Sequence, residues 1–155
     1  MSATIQGAIH ELIANNEAVA AVLTPEGYQP LLFASRAPHW KTDEEPDRYA
    51  VYWIVSTARE DHLGGLNRLT MHRVQIDSFG RTYDDAHDLS EKIRLSCDGF
   101  SGSVAVGDDS FDVRYMRWDN STDGYVDSAS GGRGWHGVSA DYNVWFRAGI
   151  PVFAR

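Results

Sequence analysis

The chain has 155 residues, 43% of them apolar, with five Trp, one Cys and a formal net charge of −8. That length suits one domain with a real core, and an acidic chain whose Lys and Arg are scattered does not suit a nonspecific nucleic-acid surface, which needs clustered cations. No apolar run approaches a membrane span, MSATIQGAIHEL lacks the basic and apolar regions of a signal peptide, and Cys97 has no intramolecular partner, so a soluble protein made in the cytoplasm is expected.

Ala3–Ala14 reads as a helix whose inner stripe is Ile5, Ala8, Ile9, Leu12 and Ile13, with His10 and Glu11 facing out. Asn15-Asn16 interrupts it. Ala18–Leu23 adds a further turn or two, ended by the clash Pro25 imposes on its predecessor. Glu26-Gly27 is a turn, and Tyr28–Ser35 a strand whose Pro30 implies an edge or a break. Ala37–Asp47, with Pro38, Pro46 and the acidic run Asp43-Glu44-Glu45, reads as loop. Arg48–Arg59 is the strongest strand. Tyr49, Val51, Trp53 and Val55 lie on one side and Ala50, Tyr52 and Ile54 on the other. An antiparallel strand usually keeps one wet face. Two apolar faces ask for two covers: helices on one, with a neighbouring subunit the candidate for the other.

Glu60–Asn67, containing Gly64-Gly65, reads as a mobile hairpin connection. In the strand Leu69–Phe79, Val74, Ile76 and Phe79 fit one apolar face. The period then changes: Ala86, Leu89, Ser90, Ile93 and Cys97 form the inner stripe of a helix over Tyr83–Cys97. Thr82 suits its N-cap, Asp84 and Asp85 its first turn, Lys92 and Arg94 its later part, and Gly99 and Gly102 its stop. On that stripe Cys97 is a buried apolar residue rather than a reactive thiol. Ser103–Val106 is a short strand and Gly107-Asp108-Asp109 a turn. Phe111–Trp118 alternates, with Phe111, Val113 and Tyr115 opposite Asp112, Arg114 and Met116. Asn120–Gly134, polar and rich in Gly and Ser, reads as a long functional or disordered loop. Trp135–Phe146 returns as strand, with Val138, Ala140, Tyr142, Val144 and Phe146 on one face. The tail 147–155 is apolar at Ile150, Val152 and Phe153. The sum is a single α+β domain over 1–155: a mostly antiparallel sheet with two helices packed on one face.

Residue clusters that suggest chemistry resolve into plainer readings. His72, His87 and His136 have no convergent spacing with Asp77, Asp84 or Asp88. His87 and Glu91 share a helix face but lack a third metal ligand. Asp61-His62 near Ser56 and Thr57 lacks the strained nucleophile turn of an acyl-transfer triad. Gly131–Gly134 (GGRG) lacks the context and the Lys-Ser/Thr of a phosphate loop. Trp53, Trp135 and Trp145 fall on strands and read as core, whereas Trp40 lies in a loop, where it can anchor an interface.

The strand RVQIDSFG at Arg73–Gly80, followed by a Tyr- and Ala-containing helix ending in DGFSG at Asp98–Gly102, carries a resemblance. With the extended YAVYWIVS at Tyr49–Ser56, the final YNVWF at Tyr142–Phe146 and a short amphipathic first helix, it resembles the tail-terminator (tail-completion) proteins of long-tailed bacteriophages and gene transfer agents. The likeness spans Ile5–Phe146 and rests on the order of structural elements. It implies a structural virion protein without catalytic residues, cofactor or metal. Such a protein forms a homohexameric ring at the head-proximal end of the tail tube, ends polymerisation of the tube protein and meets a head-completion or connector protein. A cyclic ring needs two different complementary patches on each subunit. The candidates are Trp40, Trp53, Arg59, Asp61, His62, Tyr125, Arg133 and Trp135. A related head–tail adaptor ring, and a small hydrolase or ligand-binding enzyme built around Asp61 and His62, stand as alternatives.

Overall fold

The computed structural model describes residues 4–24, 30–41, 44–62, 65–128 and 133–147, with backbone alone for 59–62, 65–68 and 147. Two short helices come first, α1 (Ile5–Ala14) and α2 (Glu17–Leu23). Each has a side-chain cap. Thr4 accepts from the backbone N–H of Gly7, and Asn16 accepts from those of Ala18 and Val19. The Asn15-Asn16 interruption is therefore also the start signal of α2. Three strands follow: β1 (Leu32–Ala34), β2 (Arg48–His62) and β3 (Gly65–Gly80). Helix α3 (Tyr83–Cys97) comes next, then β4 (Gly102–Val106), β5 (Asp109–Val126) and β6 (Trp135–Arg147).

Among the described residues the strands form one sheet in the order β1-β2-β3-β6-β5-β4. β1 runs parallel to β2, and every other neighbouring pair is antiparallel. The mostly antiparallel α+β expectation therefore holds with two changes: the sheet is mixed, and three helices rather than two accompany it. All three contribute to one core. Ile5, Ala8, Ile9 and Ile13 of α1, Val19 and Leu23 of α2, and Leu89, Ile93 and Cys97 of α3 meet Ala50, Tyr52, Val74, Ile76, Val113, Met116, Ala140, Tyr142 and Val144 from the sheet. His10, expected to face out, instead brings Nδ1 to 3.3 Å from the Tyr52 hydroxyl.

Helix α3 begins where Thr82 accepts from the Asp85 N–H and ends where Gly99 turns left-handed, at φ 81°. The Gly99 N–H donates to the carbonyl of Met116, and Met116 N–H donates to Phe100, which ties the helix exit to β5.

Three strand readings change. Phe79 lies on the sheet face opposite Val74 and Ile76, as a period of two requires, and its ring stacks on Tyr49 at 4.5 Å. In β5 a register irregularity between Val113 and Tyr115 puts Val113 and Met116 into the core and leaves Tyr115 45% exposed, against the simple alternation. A second one, between Ile54 and Ser56 of β2, leaves Val55 half exposed instead of level with Trp53.

The stretch expected as a loop from Asn120 is a strand as far as Val126, paired from Asn120 opposite Asp141 to Val126 opposite Trp135. Its polar side chains stay exposed while Val138 and Ala140 of β6 supply the buried contacts, so the partner strand overrides the composition. The expected hairpin connection 60–67 likewise shortens, with His62 opposite Gly65. Residues 129–132 of the expected loop, 25–29 ahead of β1 and the tail 148–155 lie outside the described residues.

Candidate assembly surfaces

The second apolar face of β2 is half exposed at Val55, but around Tyr49 and Val51 it is covered within the chain by a small aromatic cluster. Tyr49, Val51 and Trp135 are its buried centre, with Leu31, Phe33, Ala37, Trp40, Trp53 and Phe79 around them. Trp40 lies edge-on to Tyr49 at 5.0 Å and to Phe33 at 5.8 Å, and 6.0 Å from Trp135. These geometries add to the burial term. Burial pushes the Tyr49 hydroxyl up to about 12, so it stays protonated.

A polar clasp closes the cluster. Arg81 lies 4.2 Å over the Trp135 ring, pairs with Glu45 at 2.8 Å, and donates to the carbonyls of Arg133 and Gly134. Ser128 also donates to Glu45, and Trp135 Nε1 donates to the carbonyl of Pro46 at 3.0 Å. The Glu45 side chain is 4% exposed. The clasp thus stitches the 44–46 segment to the segment before β6. Neither Arg81 nor Glu45 has a motif around it in the sequence. Only the sheet register, which sets Arg48, Gly80 and His136 in one row, brings them together.

The eight interface candidates separate into two regions. Trp135 is 4% exposed, and Trp40 and Trp53 are half-buried beside it. Arg133 is exposed and joins this corner through its carbonyl. Tyr125 is 58% exposed near the end of β5, with its ring 5.3 Å from His136. Arg59, Asp61 and His62 follow the backbone of β2 towards its hairpin with β3, at the other end of the sheet. Their side chains lie outside the described residues. The acyl-transfer reading at Asp61 and His62 therefore gains no geometry, and the phosphate-loop reading falls partly on residues 131–132, which also lie outside the described residues. His87 pairs with Asp123 at 2.9 Å and Tyr83 donates to the same carboxylate, joining α3 to β5. No cluster of metal-ligating side chains occurs among the described residues.

Besides the outer edges of the terminal strands β1 and β4, two stretches of longer inner strands have no strand partner on their outer side among the described residues. β1 covers β2 only from Ala50 to Tyr52, so the outer edge of β2 is open beyond it. β4 covers β5 only from Asp109 to Val113. Met116 and the N–H of Trp118 are then held by residues 98–100, and the outer edge of β5 is open from 119 to 126. Unpaired edges are templates for pairing with another chain. These two lie on opposite sides of the sheet and towards opposite ends of its strands.

A groove of about 900 Å³ runs between α2 and the segments 38–40 and 44–48. Its walls include Ala21, Val22, Leu31, Phe33, Pro38 and Trp40, with Glu44 and Asp47 at its polar margin.

Comparison by sequence finds no matching protein family and no matching curated protein. Comparison by structure finds a similar fold in a chain of the "Virion of native gene transfer agent (GTA) particle". The TM-score is 0.67 and the identity 9%, over 93% of this chain and 95% of that one. At that identity the likeness is one of fold, and it extends across nearly the whole of both chains.

Proposed function

We propose that this chain is a structural protein of a phage or gene-transfer-agent particle, and that it works as the tail terminator: a ring at the head-proximal end of the tail tube. The observation that carries the reading is the end-to-end fold match to a chain of a gene transfer agent virion. The tail-terminator resemblance of the strand–helix–turn at 73–102 supports the same reading independently.

The two open edges suit such a role. They are different surfaces on opposite sides of one sheet, so contact between the β5 edge of one subunit and the β2 edge of the next is heterologous and repeats in one rotational sense. Closure of that repeat gives a ring. The ring caps the tube, ends addition of tube protein, and offers its far side to a head-completion or connector protein. The role is assembly rather than catalysis, and the protein resides in the virion.

Deleting the gene and measuring tail lengths by electron microscopy tests the role. A terminator leaves heads without tails and tubes of unregulated length. An adaptor leaves tubes of normal length detached from heads. Particles of normal yield and length from the deletion strain contradict both.

A further inference from the structure

We infer that the groove beside α2 receives the segment 149–153 (Gly-Ile-Pro-Val-Phe) of a second copy of this chain. This deepens the proposed function and rests on it in one respect, that copies associate head to tail.

The groove has the lining for such a guest. Val22, Leu31, Phe33 and Trp40 give it apolar and aromatic walls, and Pro30, Pro38 and Pro46 stiffen its sides. Proline-containing segments dock in aromatic-lined grooves because the fixed proline φ lowers the cost of ordering them. The segment brings Ile150, Val152 and Phe153 around Pro151. Charge agrees with shape. Glu44 and Asp47 at the groove enter no ion pair among the described residues, while Arg48 is already committed to Asp85 and Asp88. The free carboxylates face a segment followed by Arg155.

Reach decides whose segment it is. β6 ends at Arg147, opposite Leu69. The groove wall nearest to that point is Phe33, in the row Phe33–Val51–Asp77–Ser139. Ser139 lies eight residues back along β6, or about 26 Å, and β1 lies three strand spacings across, or about 14 Å. The direct distance is therefore about 30 Å, whereas six residues from 148 to 153 span at most about 21 Å. The chain's own Phe153 cannot enter its own groove, but that of a neighbour set head to tail can.

The test uses the full chain in three forms: unaltered, A21W and F153A. Ala21 is exposed on α2, so Trp there fills the groove mouth without touching the core. A peptide of residues 148–155 is titrated into the full-length F153A protein while the Trp40 indole N–H is followed by NMR. Saturable shifts at Trp40, at least ten-fold weaker when A21W is added to the same protein, are expected. Absence of saturable shifts overturns the inference, as do shifts that A21W leaves unchanged. A Trp40 response to purified tube protein alone assigns the groove to that partner and also overturns it. Native mass spectrometry of the same three proteins separates the two claims. Rings from the unaltered chain that survive dilution equally well in A21W and F153A overturn the groove assignment and leave the ring standing. Peptide binding with no oligomer from the unaltered chain supports the groove and counts against the ring.

Discussion

Gly80→Ala tests how tightly α3 is seated on the sheet. Gly80 closes β3, opposite Arg48 on one side and His136 on the other. A Cβ there would lie 2.7 Å from the Ala86 nitrogen and 2.8 and 2.9 Å from Cβ and the carbonyl carbon of Asp85. Two of these three atoms are backbone in the first turn of α3, so no rotamer change clears them. Ordinary carbon–carbon contact near 3.5 Å requires the helix start to retreat by about 0.7 Å. That retreat loosens the Arg48–Asp85 ion pair, now 2.8 Å, and disturbs the seat of buried Ala86. Overpacking of this kind costs about 1–3 kcal/mol, and the backbone origin of the clash argues for the upper half. For a chain of this size each kcal/mol lowers Tm by about 2–4 °C, so a fall of about 4–12 °C is expected in a thermal melt followed by circular dichroism. Gly124→Ala is the control. Nothing lies within 4 Å of its added Cβ, and the loss of unfolded-chain freedom stabilises by up to about 1 kcal/mol. A Gly80→Ala protein that melts with the parent refutes the packing of α3 against β3 described above.

Arg81→Ala removes the cation over Trp135 and leaves the 4%-exposed Glu45 without it, which should cost about 3–5 kcal/mol in urea unfolding; a loss typical of a surface pair contradicts the clasp. Burial pushes the Cys97 thiol up to about 12, so a thiol reagent should label the native protein only as fast as it unfolds, and Cys97→Ala should cost about 1 kcal/mol. His72 stacks on Phe146 at 4.6 Å, and burial lowers its pKa below 6.5. Its neutral form is the stabilising one, so its contribution is complete above about pH 6.5 and is lost as pH falls through the lowered value. Tm measured across that window should fall with pH in the parent and less steeply in His72→Gln; equal slopes in both contradict this assignment.

Local signals carried much of the fold. Thr82, the stripe Ala86–Leu89–Ile93–Cys97 and Gly99 are start, face and stop of one helix, and each does the work its residue type allows. β6 follows its alternation from Val138 to Val144. What stayed hidden depends on partners distant in the chain. Asn120–Val126 is strand because β6 lies beside it, not because its residues prefer extension. The aromatic cluster on the second face of β2 is likewise hidden, because the sequence does not show that Trp40 folds back over Tyr49 or that Trp135 packs edge-on against it. The candidate surfaces were legible only in part for the same reason. Tyr125 is exposed near the end of β5, whereas the two open edges appear only once strand order and strand lengths are known.

A cryo-electron microscopy reconstruction of the intact particle shows directly whether a ring of this protein closes the tail tube. This fold should occupy a single closed ring at the head-proximal end of the tube, with neighbouring copies in contact through the β2 and β5 edges. Density for the fold elsewhere in the particle, or a particle from which this chain is absent, contradicts it.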